Sequence, residues 1–182
     1  MSRHFIILSN TVDCRKPLSL NNLTGFGRLD VLCRCITATF FLSNAFRRET
    51  QLSIFFRLNE LLLNINGKKA EGINPDERSI AGVLKRVFKG RISRGITLVP
   101  ATLQEILTFH LPTVLDVHGN KNFTELTQQD VFLIGDQIGF TDTDRQMFSD
   151  VSKVESLTIG SHVYLSSQTI TILHYLLDQI HK

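Results

Sequence analysis

Apolar residues fall along this chain in two alternating patterns, short unbroken runs and three- to four-residue repeats. Phe5 to Leu8 is an unbroken run and predicts a first strand. Leu18 to Phe26 carries Asn21, Asn22 and Gly25 and reads as a loop. From Asp30 onward, Val31, Cys35, Ala38 and Leu42 recur at helical spacing. Arg47 and Arg48 close that stretch, where a helix C-terminus favours cations. Residues 51–58 and 61–65 read as strands, and Asn66-Gly67 as a hairpin turn. The clearest helix start follows. Asn74 is placed to cap, Pro75 suits the first helical position, and Glu77 sits three residues after the cap. Ile80, Val83, Leu84, Val87 and Phe88 form its apolar face, and Gly90 ends it.

The second half alternates more regularly. Residues 96–99 are strand-like, 102–109 helix-like and 113–117 strand-like. Val131 to Ile134 and Ser156 to Ile159 are apolar runs closed by Gly135 and Gly160, and residues 166–180 form a last long helix. Strands alternating with helices predict an α/β fold with a mostly parallel sheet. All-apolar strands predict helices on both of its faces. With no linker or repeat in sight, the 182 residues read as a single domain, 1–182.

Composition narrows the function classes. Hydrophobic residues are 42% and charged residues 20%, an ordinary globular balance. The net charge of +3 permits an RNA partner without demanding one. No apolar run reaches the ~18 residues of a membrane span, and the N-terminus has no signal-peptide pattern. The expectation is a cytoplasmic protein. Cys14, Cys33 and Cys35 are an odd set without ligand spacing, so they read as buried free thiols. The histidines lack zinc-site spacing, so no metal is expected. There is no nucleophile elbow, P-loop or G-x-G-x-x-G fingerprint either.

Open α/β sheets bind ligands beyond the carboxyl ends of their strands. Three strands here end in suitable loops: Leu115 to Gly119, Gly135-Asp136-Gln137-Ile138-Gly139, and Ile159-Gly160-Ser161. Glycine lets a backbone approach a ligand closely, so the three are candidates to wrap an adenosine. Gly27-Arg28-Leu29-Asp30-Val31-Leu32-Cys33-Arg34-Cys35 concentrates charge at a helix start. Asp30 and Arg34 are four apart and able to pair. The stretch is either an intrahelical salt bridge or a base-binding patch. Lys85, Arg86, Lys89, Arg91 and Arg94 form a second basic stretch, either a solvated face or a phosphate contact.

Taken together, four blocks resemble a known family. They are the Gly27–Cys35 stretch with Phe40-Phe41-Leu42-Ser43 and Arg47-Arg48; Asn74-Pro75-Asp76-Glu77-Arg78; Phe132 to Gly139; and Thr169 to His174 with Leu177-Asp178. In this order they are similar to the archaeal tRNA pseudouridine N1-methyltransferases of the SPOUT superfamily. The resemblance implies a C-terminal trefoil knot, a homodimer, and S-adenosylmethionine bound in the knot loops. It implies cofactor contacts from Leu115, Gly135, Leu157, Thr158, Ile159, Gly160, Ser161 and Thr169. It implies RNA contacts from Arg28, Arg34, Arg47 and Arg48, and makes Asp30 and Arg28 the candidate catalytic pair, Asp30 accepting a hydrogen bond from the target nitrogen and Arg28 stabilising the base ring or its phosphate. The family usually carries a cysteine at Thr169 and a Ser-Pro-like pair near Gly160-Ser161. Alternative readings are a SPOUT enzyme acting on ribosomal RNA, and a cofactor- or RNA-binding module without catalysis.

Overall fold

The computed structural model describes residues 2–123, 131–151 and 154–180. Its elements run β1 (Arg3–Ser9), α1 (Leu29–Phe40), β2 (Thr50–Phe56), β3 (Leu61–Asn66), α2 (Glu77–Phe88), β4 (Ile96–Pro100) and α3 (Leu103–His110). Then come β5 (Thr113–Leu115), β6 (Lys121–Asn122), β7 (Val131–Gly135), α4 (Asp142–Asp150), β8 (Glu155–Thr158) and α5 (Ser166–Ile180). One sheet carries the order β4-β3-β2-β1-β7-β5-β8-β6. Only the β2–β3 and β3–β4 pairings are antiparallel.

The unbroken apolar strands are explained by cover on both faces. Phe5 and Ile7 of β1 pack into a cluster with Leu32 and Ile36 of α1, Leu84 of α2 and Leu173 of α5. Their neighbours Ile6 and Leu8 point the other way, toward Ile106 and Leu107 of α3 and Phe148 of α4. All three cysteines are free and buried. Burial pushes the Cys14, Cys33 and Cys35 thiols up to about 12. No helix of the described residues is long and apolar enough to cross a membrane.

Three local expectations are corrected. The tight hairpin lies at residues 57–60 between β2 and β3, not at Asn66-Gly67. After Gly67 the chain instead leaves the sheet for α2 before β4 returns. A Cβ at Gly67 would stand 2.6 Å from the Thr50 carbonyl oxygen, so its glycine serves close packing. The α2 cap is Asp76 rather than Asn74: its carboxylate accepts from Ser79 N at 2.7 Å, and extended backbone at Asp76 leaves Pro75 outside the helix. Helix α1 stops at Phe40, so Arg47 and Arg48 lie beyond it. Gly90 does follow the end of α2 in the left-handed region, at φ 72°.

At the amino edge of the sheet, α5 is tied to β1 and α1 through a network of polar groups, of which Arg3 and His174 are buried. Asp178 pairs with Arg3 and Arg47, each at 2.7 Å. Hydrogen bonds from Arg47, with Arg3 adding to them, hold its carboxyl down at about 2. The Arg3 guanidinium donates to His174 Nδ1 at 3.1 Å, so the proton of this imidazole sits on Nε2, 3.1 Å from the Thr39 carbonyl oxygen. Burial lowers both His174 and His4 to about 4. Below pH 6.5 the unfolded chain therefore takes up protons that the native state refuses until about pH 4. Stability should fall across that window, by roughly 3 kcal/mol for each imidazole. Thermal unfolding followed from pH 7 to pH 4 checks this. A flat profile would contradict the neutral assignment.

Candidate active site

Beyond the carboxyl ends of β5, β7 and β8 lies a cavity of about 230 Å³. Leu115, Ile134 and Leu157 give it an apolar floor. Gly135, Ile138 and Gly139 line it from the loop after β7, and Thr158, Ile159 and Gly160 from the end of β8 and the loop after it. Thr169 from α5 closes it from below and is itself 7% exposed. Thus the three glycine-bearing loops converge on one place. Of the eight cofactor residues expected, seven line this cavity, and Ser161 stands beside its lining residues Gly160 and His162.

The walls are held by polar groups already in use. Asp136 N donates to the Leu8 carbonyl at 3.0 Å. The Asp136 carboxylate accepts from Asn10 N at 2.6 Å, Asn10 Nδ2 at 2.9 Å and Ile138 N at 3.0 Å. Asn10 Nδ2 also donates to the Gly139 carbonyl, so one asparagine clamps the whole 135–139 loop. Ser166 Oγ donates to the Gly135 carbonyl at 2.7 Å, anchoring the start of α5 to the same loop. On the far side Arg145 donates to Asp116 Oδ2 at 3.0 Å and to the Phe140 carbonyl at 2.9 Å. It joins the loops after β5 and β7.

Arg145 belongs to α4, a helix the apolar pattern does not reveal, because its buried residues are only Asp144 and Phe148. A capping box between Thr141 and Asp144 was the available signal. His162, Val163 and Tyr164 also line the cavity and were not anticipated.

The charged start of α1 lies at the same edge of the sheet. Arg28 takes a left-handed conformation (φ 62°, ψ 41°), which costs a non-glycine residue about 1–2 kcal/mol. That turn brings its guanidinium onto Asp30 as a fork, with both bonds at 3.0 Å. Arg34 adds a third bond to Asp30 at 2.8 Å, the expected four-residue pair. Hydrogen bonding from Arg28, then Arg34, holds the Asp30 carboxyl below the usual range. A relay connects this corner to the cavity wall. Gln137 donates to Thr11 Oγ1, which donates to the Gly27 carbonyl. Neither Arg28 nor Asp30 lines the cavity of its own chain.

Arg47 and Arg48 are not brought to this place. They precede β2 at the opposite edge of the sheet. Arg47 is bound by Asp178. Arg48 donates to the Gly67 and Ala70 carbonyls and lies over the Phe46 ring.

The cavity offers apolar side chains for a ring, edged by three loops, two of which bring glycines to it, Gly135, Gly139 and Gly160. Residues 2–182 match the family model described as "Putative SAM-dependent RNA methyltransferase". The tRNA (pseudouridine(54)-N(1))-methyltransferase of Methanocorpusculum labreanum is 30% identical, over 93% of each chain. That of Haloarcula marismortui is 29% identical, over 97% of this chain and 96% of its own. The solved structure of Archaeoglobus fulgidus Nep1, bound to S-adenosylhomocysteine, covers 100% of this chain and 99% of that one. It has a TM-score of 0.73 at 14% identity, a likeness of fold. A family match spanning residues 2–182, with a relative at 30% identity across 93% of both chains, makes this protein a member of the SAM-dependent RNA methyltransferase family.

Proposed function

We propose that this protein methylates N1 of a pseudouridine in the T-loop of tRNA, at the position its named relatives modify. The observation that carries the reading is the convergence of three glycine loops on one cavity in a chain aligned end to end with those relatives. When bound, S-adenosylmethionine supplies a methyl group already activated on a sulfonium.

This chain's own work is then positioning and proton handling. Leu115, Gly135, the 157–161 segment and Thr169 would hold the cofactor. Asp30 accepts a hydrogen bond from the N1–H of the base. As N1 takes up a methyl group it gains positive charge, and the N1–H proton turns acidic. A carboxylate kept charged by Arg28 and Arg34 stabilises it until it passes to water. Arg28 and Arg34 keep over a third of their side chains exposed, which leaves them able to meet the RNA.

A homodimer would complete the site. The cavity is smaller than the roughly 300 Å³ at which small-molecule sites begin. Exposed Ile138, Val163, Tyr164 and Leu165 lie in or beside its lining, an apolar rim of the kind that seeks a partner surface. In such a dimer the Arg28–Asp30 corner of one protomer faces the cavity of its partner. A trefoil knot of the C-terminal segment fits the insertion of β7 between β1 and β5 and the return of α5 onto α1. The chain then works as one SPOUT domain over residues 1–182, and a tRNA substrate fits a cytoplasmic location.

Calorimetric titration of S-adenosylmethionine into the protein tests the cofactor half of this reading. Saturable binding at one site per chain is expected. Absence of binding would overturn it.

A further inference from the structure

A second cavity, of about 280 Å³, lies at the β3–β4 side of the sheet, apart from the residues of the first. Arg15, Lys16, Lys85 and Lys89 all line it, over apolar walls that include Leu18 and Phe88. Among the described residues no carboxylate lies within ion-pair distance of Arg15, Lys85 or Lys89. Lys16 has only a loose contact with Asp13, at 3.8 Å and 72% exposed. Lys85 is half-buried through its stem and has no carboxylate partner among the described residues.

The cations come from two separate segments. Lys85 and Lys89 lie at the end of α2, where the helix dipole alone favours positive charge. That does not account for Arg15 and Lys16, which a built turn delivers to the same cavity. Asn59, 7% exposed, accepts from Cys14 N at 2.7 Å and donates to Asp13 Oδ1 at 2.8 Å. Asp13 in turn accepts from Arg15 N at 3.0 Å, and its carbonyl accepts from Lys16 N at 3.2 Å. These bonds engage Asp13 and hold the backbone turn that carries Arg15 and Lys16.

We propose that this cavity binds backbone phosphate of the substrate RNA, as a docking site distinct from the cofactor cavity. The inference rests on the RNA-methylating function proposed above. Four cations against one engaged carboxylate select a polyanion. The apolar walls suit a ribose or base beside the phosphate. The chain itself links this cavity to the Arg28 corner, since both belong to the connection between β1 and α1 or its neighbours. Arg78 steadies that connection by donating to Asn21 Oδ1 at 2.8 Å. One RNA strand is thereby positioned at two places on the carboxyl edge.

The test compares the wild-type protein with the variants Arg15→Ala/Lys16→Ala and Lys85→Ala/Lys89→Ala. It measures tRNA affinity over a range of salt, alongside S-adenosylmethionine binding. Each pair should weaken tRNA binding tenfold or more. The slope of log K against log [salt] should shrink by about 1 for every cation removed. Cofactor affinity and melting temperature should stay as in wild type. Unchanged RNA affinity and slope in both variants, with wild-type methylation intact, would overturn this docking site alone. Loss of tripolyphosphate binding without loss of tRNA binding would also overturn it, in favour of a small-anion site. Failure of the wild type to bind any tRNA would overturn it together with the proposed function.

Discussion

Replacing Gly135 by valine should abolish measurable S-adenosylmethionine binding, a loss of at least a hundredfold. A Cβ at this position would stand 2.7 Å from Gly139 Cα and 3.0 Å from its carbonyl carbon. Both are backbone atoms, and the Asn10–Asp136 clamp and the Ser166 bond keep that loop from yielding. Accommodation therefore means displacing the cavity wall, and overpacking of this kind costs roughly 1–3 kcal/mol. Pushing Gly139 aside also moves a residue that lines the cavity. A hundredfold loss corresponds to about 2.8 kcal/mol, within reach of the two effects combined. Gly82→Ala is the control, because a Cβ there meets nothing within 4 Å. It should leave binding unchanged and stabilise α2 slightly. Calorimetry on both variants decides the matter, and wild-type affinity in Gly135→Val would remove this loop from the site.

The second large effect is expected at Asp30. Asp30→Ala should lower kcat for tRNA methylation by about 10² to 10³, within the range for a positioned acid–base group, while cofactor affinity holds. Asp30→Asn should behave much the same, since it keeps the shape and loses the charge. The folding cost should be modest, about 1 kcal/mol, because Arg28 and Arg34 remain wet enough to be solvated when their partner goes. The hydrogen bonds from Arg28 and Arg34 hold the Asp30 carboxyl below the usual range. The carboxylate is thus charged throughout the neutral range, and its titration should not appear in a rate profile between pH 6 and 9. Full turnover in Asp30→Ala, with unchanged tRNA affinity, would exclude the role.

Much of this site could be read from the chain. The strands are short apolar runs because helices cover both faces, and their closing glycines mark where loops begin. The carboxyl-edge rule then gathers the loops at 115–119, 135–139 and 159–161 at one place, and the family resemblance adds Leu157 and Thr158. Asp30 and Arg34 were legible from spacing alone. What stayed hidden depends on contacts distant in sequence. Nothing local says that β7 slips between β1 and β5. Helix α4 presents almost no apolar face, so the periodicity misses it and with it Arg145. Arg47 and Arg48 belong to a motif yet serve the opposite edge, because Asp178, far along the chain, folds back to meet Arg47. The basic turn at Arg15 and Lys16 gains meaning only when Asn59 fixes it opposite α2.

The most direct measurement is methyl transfer to two tRNA transcripts, alike except that one carries pseudouridine and the other uridine at the target position. In pseudouridine the glycosidic bond is to carbon, so N1 bears a proton and can accept a methyl group. In uridine N1 is the glycosidic nitrogen and has no proton to give. Mass analysis of the digested products should find methyl only on the pseudouridine of the first transcript. Equal methylation of both, or of neither with cofactor bound, would contradict the account.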